Sequence, residues 1–332
     1  MNNSQLIISI QSFLNVFISI VWEAMPFIVL GAVIAGILEE LLPQRWITKF
    51  LPRSALPAVI VGGLLGLVFP MCECGIVVVM RRLLRKGLPL SCCIAYMLAG
   101  PILNVVVLFS TYIAFKNHKL YPNQIEGTLG PWMVIMRAGF GVLIACTTAM
   151  IVHYRALKSP QSMLTDSANP KAISLNMAGA EDDAKDARKT VMTRVGNIAE
   201  TALHDFVDIM MYLIIGALLA AIVKTSITQA SIASFSLDYP YLAIPATMLL
   251  AVVMCLCSEA DAFVAASFTE ASVASKLAFL VLGPMLDLKL LMMYTRVFKP
   301  KLIMILVTCT VTQTLIYSVI VHVILTATAP TG

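Results

Sequence analysis

The chain is expected to fold as an all-α polytopic membrane protein made of two inverted repeats. Composition, a series of eight apolar segments and an internal duplication carry that expectation. The 332 residues are 59% hydrophobic and only 12% charged, with a mean hydropathy of +0.90, far from an ordinary soluble domain. The net charge of +5 is no nucleic-acid signal.

Crossing a hydrocarbon core of about 30 Å takes about 20 helical residues. Apolar stretches of that order run over 14–38, 90–115, 131–153, 203–223, 273–297 and 302–326, and two more, 56–84 and 241–264, are interrupted. The first lacks a basic leader and a small-residue cleavage pattern, so it is expected to stay as an anchor rather than be removed as a signal peptide. The second carries Pro70-Met71-Cys72-Glu73-Cys74-Gly75, where proline and glycine break a helix. A re-entrant hairpin with Cys72 and Cys74 at its tip is expected there. The third contains a second break, Gly100-Pro101-Ile102-Leu103-Asn104, and the fourth contains Arg137, which needs an anionic partner or a wet cavity at membrane depth.

A hydrophilic stretch, 155–200, then divides the chain into a first transmembrane repeat, 1–154, and a second, 201–332. The stretch reads as a cytoplasmic linker. Its distal part, from Glu181 to Glu200 with a Glu181/Lys185 pair at i,i+4, is expected to run as a helix into the next span. Beyond it the first pattern returns at a constant offset: Cys72 maps to Cys255, Cys74 to Cys257, Pro101 to Pro284 and Asn104 to Asp287. Glu23 and Asp208 likewise each precede a Gly-Ala pair, at Gly31 and Gly216, by eight residues.

Basic residues decide between topologies, because Lys and Arg collect on the cytoplasmic side of short loops. If all eight segments cross, they divide almost evenly between the two sides. If the two C-x-C segments enter and leave on one side, Arg45, Lys49, Arg53, the Arg81–Lys86 cluster, the linker, Arg296, Lys299 and Lys301 all fall inside. Each half then has three crossings plus one hairpin, or eight to ten helices in all if the hairpin arms are counted. An odd number of crossings turns the second half upside down relative to the first. In such proteins broken helices meet near the midplane, where half-helix ends and unwound carbonyls form the substrate site.

The Pro-x-Cys-x-Cys-Gly turn, the Gly-Pro-x-x-Asn break, Cys257-Ser258-Glu259-Ala260-Asp261-Ala262-Phe263 and Gly283-Pro284-Met285-Leu286-Asp287-Leu288-Lys289 together resemble the bacterial predicted permeases that include the organoarsenical efflux permease ArsP. The resemblance spans both halves but not the linker. It implies a multi-pass permease of the bacterial cytoplasmic (inner) membrane.

Chemistry narrows the candidates. Eight cysteines, nearly all in apolar segments, do not form a disulfide scaffold. Cys72, Cys74, Cys255 and Cys257 are the candidate substrate and soft-metal ligands, because thiolates favour Cu(I), Zn(II) and similarly thiophilic centres such as trivalent arsenic. Packing of cysteine as a small apolar residue is the competing reading. Asn104 and Asp287, just past the Gly-Pro breaks, are candidates for lining the site or for capping the helices that follow. Carboxylates and lysine inside apolar spans are costly and mark ion paths, so Glu73, Glu259, Asp261 and Lys289 are the candidate proton- or ion-coupling groups, with Lys289 offset by Asp287. The histidines form no metal pair, and Cys92, Cys93, Cys146 and Cys309 read as packing.

No P-loop, G-x-S-x-G elbow, H-E-x-x-H or dinucleotide fingerprint is present. No enzyme and no cofactor are expected, and the driving energy comes from a gradient or a partner. The expected function is a secondary-active permease exporting a small soft or thiol-reactive solute, with proton coupling as an option. Another metal, a sulfur compound, or an intramembrane thiol oxidoreductase exchanging electrons through cysteine pairs are the alternatives. The expected partners are the bilayer, the small-molecule or ion substrate, and either a second copy of the chain or a soluble protein at the linker, with no nucleic acid.

Overall fold

The computed structural model describes residues 3–41, 54–69, 71–118, 129–158, 191–226, 240–268 and 271–328. The first half holds α1 (Asn3–Leu41), α2 (Ala55–Val68), α3 (Glu73–Arg85), α4 (Leu90–Ala99), α5 (Val105–Phe115) and α6 (Leu129–Lys158). The second holds α7 (Val191–Ser226), α8 (Pro240–Met254), α9 (Asp261–Ser267), α10 (Val273–Leu282), α11 (Leu288–Val297) and α12 (Pro300–Thr328). Each half therefore reads long helix, two interrupted pairs, long helix.

These are twelve helices among the described residues, more than the eight to ten expected. The excess arises because the segments expected as spans over 90–115 and 273–297 are themselves cut at Gly100–Asn104 and Gly283–Asp287. Among the described residues, four helices are long and apolar enough to cross: Ile10–Leu38 in α1, Leu129–Leu157 in α6, Gly196–Ile222 in α7 and Pro300–Ala327 in α12. The helix expected at the end of the linker is the start of α7 at Val191; Pro70 and the Glu181/Lys185 pair lie outside the described residues.

Close contacts fix the directions. A Cβ added at Gly62 would lie 2.3 Å from the Cys92 carbonyl oxygen, and one at Gly66 would lie 2.5 Å from Gly100 Cα, so α2 runs parallel to α4. Between them α3 must run back. Its return is made by a tight turn in which Gly87, at φ 92, lets Gly87 N–H donate to the Leu84 carbonyl and Leu88 N–H to the Leu83 carbonyl, a Schellman end that favours glycine. Helices α2 and α3 thus form a hairpin that enters and leaves on one side.

The second half repeats this. Thr247 Oγ1 reaches the Ser275 carbonyl, and Gly283 lies beside Ala251, so α8 runs parallel to α10 and α9 brings the chain back between them. Helix α6 runs antiparallel along the α4–α5 pair, with Gly130 against Lys116 and Gly141 against Ile102. The two arms of that pair together make one interrupted crossing.

Equivalent long helices of the two halves run in opposite directions. Gly36 abuts Ile198 while Ile20 clusters with Ala217 and Ala220, so α1 and α7 are antiparallel. Phe140 stacks on Tyr317 at 5.5 Å while Thr148 accepts from Gln313 at 3.2 Å, so α6 and α12 are antiparallel too. This is the inverted relation that the odd number of crossings requires.

The layers follow from burial. Helices α4 and α10 are buried along almost their whole length, whereas the four long helices turn apolar faces outward, for example Ile18 and Trp22 on α1, Ile135 on α6, Leu203 on α7 and Met304 on α12. Helices α2, α5 and α8 also expose apolar residues, among them Ile60, Phe109 and Leu249, so the long helices and these arms together make the outer layer around α3, α4 and α10. Non-helical backbone is tolerated at membrane depth only inside such a shell.

Candidate functional site

Within each half the C-x-C turn and the Gly-Pro turn lie side by side, because the end of α2 touches Gly100 and the end of α8 touches Gly283. Side chains then join the halves. Lys289, at the start of α11, places Nζ 2.9 Å from Glu73 Oε1 and donates to the Cys255 carbonyl at 3.3 Å. Ser258 Oγ donates to Glu73 Oε2 at 3.3 Å. All four backbone breaks therefore meet in one buried region between the repeats.

Glycines make the approach possible. A Cβ at Gly31 would sit 2.9 Å from Gly75 Cα, and one at Gly216 would sit 2.8 Å from Lys289 Cα. Each glycine brings a long rim helix into backbone contact with a broken helix, which explains the two matched Gly-Ala pairs. The partners differ, however: α1 meets α3, whereas α7 meets α11. The packing of the two halves is thus not symmetric.

The cysteines occupy the turns themselves. Cys72 is the N-cap of α3 and Cys74 lies in its first turn, both fully buried. Cys255 directly follows α8 at φ 49, a left-handed conformation that costs a residue with a Cβ about 1 kcal/mol or more. It belongs with Ile20, Ala217 and Ala220 to a small cluster separate from the main core. Cys257 is buried within electrostatic reach of Cys74, Glu73 and Lys289. All eight cysteines are free. Among the described residues no three His, Cys, Asp or Glu side chains are gathered as a metal site.

Asn104 and Asp287 both serve as N-caps. The Asn104 side chain accepts from Val106 N–H at 3.0 Å and Asp287 accepts from Leu290 N–H at 2.7 Å. Asp287 Oδ2 also lies 3.5 Å from Lys289 Nζ, so the local offset expected from the sequence is present but is the longer of the lysine's two ion pairs. Glu259 is half-buried on the second turn, next to Ser258.

A second node lies on the other side of Ser258. Arg137, from α6, donates to Asp261 Oδ2 at 2.7 Å, to Thr111 Oγ1 at 2.7 Å and to the Ser258 carbonyl at 3.2 Å. Asp261 is the anionic partner that Arg137 demanded, and it comes from the opposite half. Sequence reasoning missed Ser258 and Thr111; the Cys-Ser-Glu-Ala-Asp run was the available signal for Ser258, and nothing local marked Thr111.

It also missed a second, largely buried ion cluster. At the far end of α3, Arg82 pairs with Asp205, while Arg81 and Arg296 lie 3.0 and 2.9 Å from Asp208. Two aspartates within an otherwise apolar span were the signal for it.

The family model described as "Predicted permease", of the ArsP type, matches residues 9–323. The chain belongs to this predicted permease family. The permease is 34% identical over 309 residues to UPF0718 protein YcgR of Bacillus subtilis (strain 168), covering 92% of this chain and 96% of that one. It is 32% identical over 317 residues to a protein of Streptococcus mutans serotype c named as a putative two-component membrane permease complex subunit, covering 95% and 96%. No solved structure matches it significantly. As a member of this family the chain is a multi-pass membrane transporter.

Proposed function

We propose that this permease is a secondary-active exporter in the bacterial inner membrane, with residues 155–200 on the cytoplasmic face. Its substrate is a small soft or thiol-reactive solute of the trivalent organoarsenical class. The observation that carries the reading is the meeting of two buried C-x-C turns, one from each inverted half, at the point where four helices are interrupted. Unwound backbone at that place serves a solute that must be bound from either side in turn.

In this reading Cys72, Cys74, Cys255 and Cys257 pass the solute between the halves through two or three labile bonds. A thiol that joins an arsenic(III) hydroxide adds its sulfur while hydroxide and the thiol proton leave as water, and the exchange reverses on release. Asn104 and Asp287 hold the flanking helix starts, and Glu73, Glu259, Asp261 and Lys289 carry the coupling charge. The name of the Streptococcus relative supports a further component that works with the transmembrane chain, and the linker is the place proposed for it.

The test is accumulation in everted vesicles of methylarsenite, inorganic arsenite, Zn(II) and Cu(I), with and without a proton gradient. A variant with all four cysteines changed to serine is the comparison. Gradient-dependent accumulation of a trivalent arsenical that the variant loses supports the proposal. Transport that survives the serines removes the cysteines from the site, and transport of none of the four solutes overturns the assigned substrate class.

A further inference from the structure

We infer that the oxygens around Lys289 form a binding site for a small monovalent cation, which the lysine ammonium fills in this conformation and an external cation fills in another. The inference rests on the reading of the chain as a gradient-driven permease and names the coupled ion's place. Three oxygens surround Nζ: Glu73 Oε1 at 2.9 Å, Cys255 O at 3.3 Å and Asp287 Oδ2 at 3.5 Å. They come from the first C-x-C turn, the second C-x-C turn and the second Gly-Pro turn, so the ammonium is the common point of three breaks.

Neither carboxylate oxygen receives a hydrogen bond among the described residues, although both carboxylates are almost wholly buried. Their contact with Lys289 is an ion pair. The third oxygen is a main-chain carbonyl released where α8 ends, and the left-handed φ of Cys255 belongs to the same turn. Carbonyls at helix C-termini together with carboxylates are the ligands that Na+ takes in broken-helix transporters, and hard cations prefer such oxygens. Two carboxylates against one ammonium leave a formal excess of negative charge, and Arg137 is engaged by Asp261 instead.

The lysine is suited to leave. Its ammonium is a compact charge on a flexible four-carbon stem, and the helix beside its backbone presents Gly216, with no side chain there. The duplication supplies no second copy: the positions equivalent to Glu73, Asp287 and Lys289 are Leu256, Asn104 and Val106. One cation site per chain follows.

The experiment uses the purified full chain in detergent, without substrate, so its outcome is separable from that of the vesicle assay. Lys289→Ala should lower the melting temperature. Na+ or ethylammonium should restore it with saturation in the millimolar range, whereas tetramethylammonium at equal ionic strength should not. Adding Glu73→Gln should abolish the saturation.

A second measurement needs no variant. In the unaltered protein Na+, compared with choline, should raise labelling of Lys289 by a membrane-permeant amine reagent at least threefold, read by peptide mass spectrometry. Rescue that is absent, or equal for all cations, together with labelling that ignores Na+, overturns the site. Stability and labelling that follow pH alone overturn the assignment to a metal cation in favour of a proton.

Discussion

Removing Arg137 should cost more than removing Arg137 and Asp261 together. The guanidinium is fully buried, as is Asp261 apart from a few per cent of its side chain, and the pair spans 2.7 Å between opposite halves. Arg137→Met keeps much of the volume but leaves a buried carboxylate whose Oδ1 already has no hydrogen bond. It also strips a donor from the Ser258 carbonyl and from Thr111 Oγ1. Breaking one side of a buried pair costs about 3 to 5 kcal/mol, whereas replacing both sides with apolar groups is often neutral. Arg137→Met should therefore lose about that much in reversible unfolding in mixed micelles, and Arg137→Met with Asp261→Leu should recover at least about 2 kcal/mol of it. Additive effects in the double-mutant cycle, or a single-variant loss below about 1 kcal/mol, would refute the claim that this pair joins the halves.

Gly216→Val should displace α7 from the backbone of Lys289, since even a Cβ would stand 2.8 Å from its Cα; melting temperature and vesicle transport should both fall, while Gly139→Ala, facing open space, should leave both intact. Asn104→Ala should cost about 1 kcal/mol for its lost cap, and Asp287→Ala should cost more because it also removes a carboxylate from Lys289; equal losses in chemical unfolding would count against the ion pair. Cysteines placed at Thr147 and Gln313, whose side chains touch across α6 and α12, should cross-link within one chain, shown by two fragments staying joined on a denaturing gel after cleavage in the linker. Failure of that cross-link alongside an efficient one between parallel registers would contradict the inverted packing of these helices.

Local rules made the architecture legible and left the partnerships dark. Proline, glycine and the duplicated C-x-C spacing mark interruptions directly, because they remove helical hydrogen bonds wherever the chain goes. The count of basic residues separated a hairpin from a crossing, and the parallel course of α2 and α4 agrees with it. The Gly-Pro motifs were legible as breaks, but hydropathy alone made 90–115 and 273–297 look like unbroken spans. The ion pairs depend on docking one half against the other. Arg137 and Asp261 are 124 residues apart, and Arg82 and Asp205 are 123 apart. Lys289 shows the difference well: sequence proximity assigns it to Asp287, yet its closest carboxylate is Glu73 from the other half.

The cluster of Arg81, Arg82, Asp205, Asp208 and Arg296 stands at one end of the molecule only. The offset that carries the first half onto the second places Val264 and Ala265 where Arg81 and Arg82 stand, and Ile113 replaces Arg296. Two copies related by inversion would otherwise make a valve that treats both faces alike. Here one end is fastened by charges, Arg81, Arg82 and Asp205 being buried and the Arg296–Asp208 pair partly open to water, and its counterpart has apolar residues at the arginine positions. The two ends therefore close by different chemistry, one by ion pairs and the other by apolar contact, giving a chain descended from two like halves an intrinsic direction.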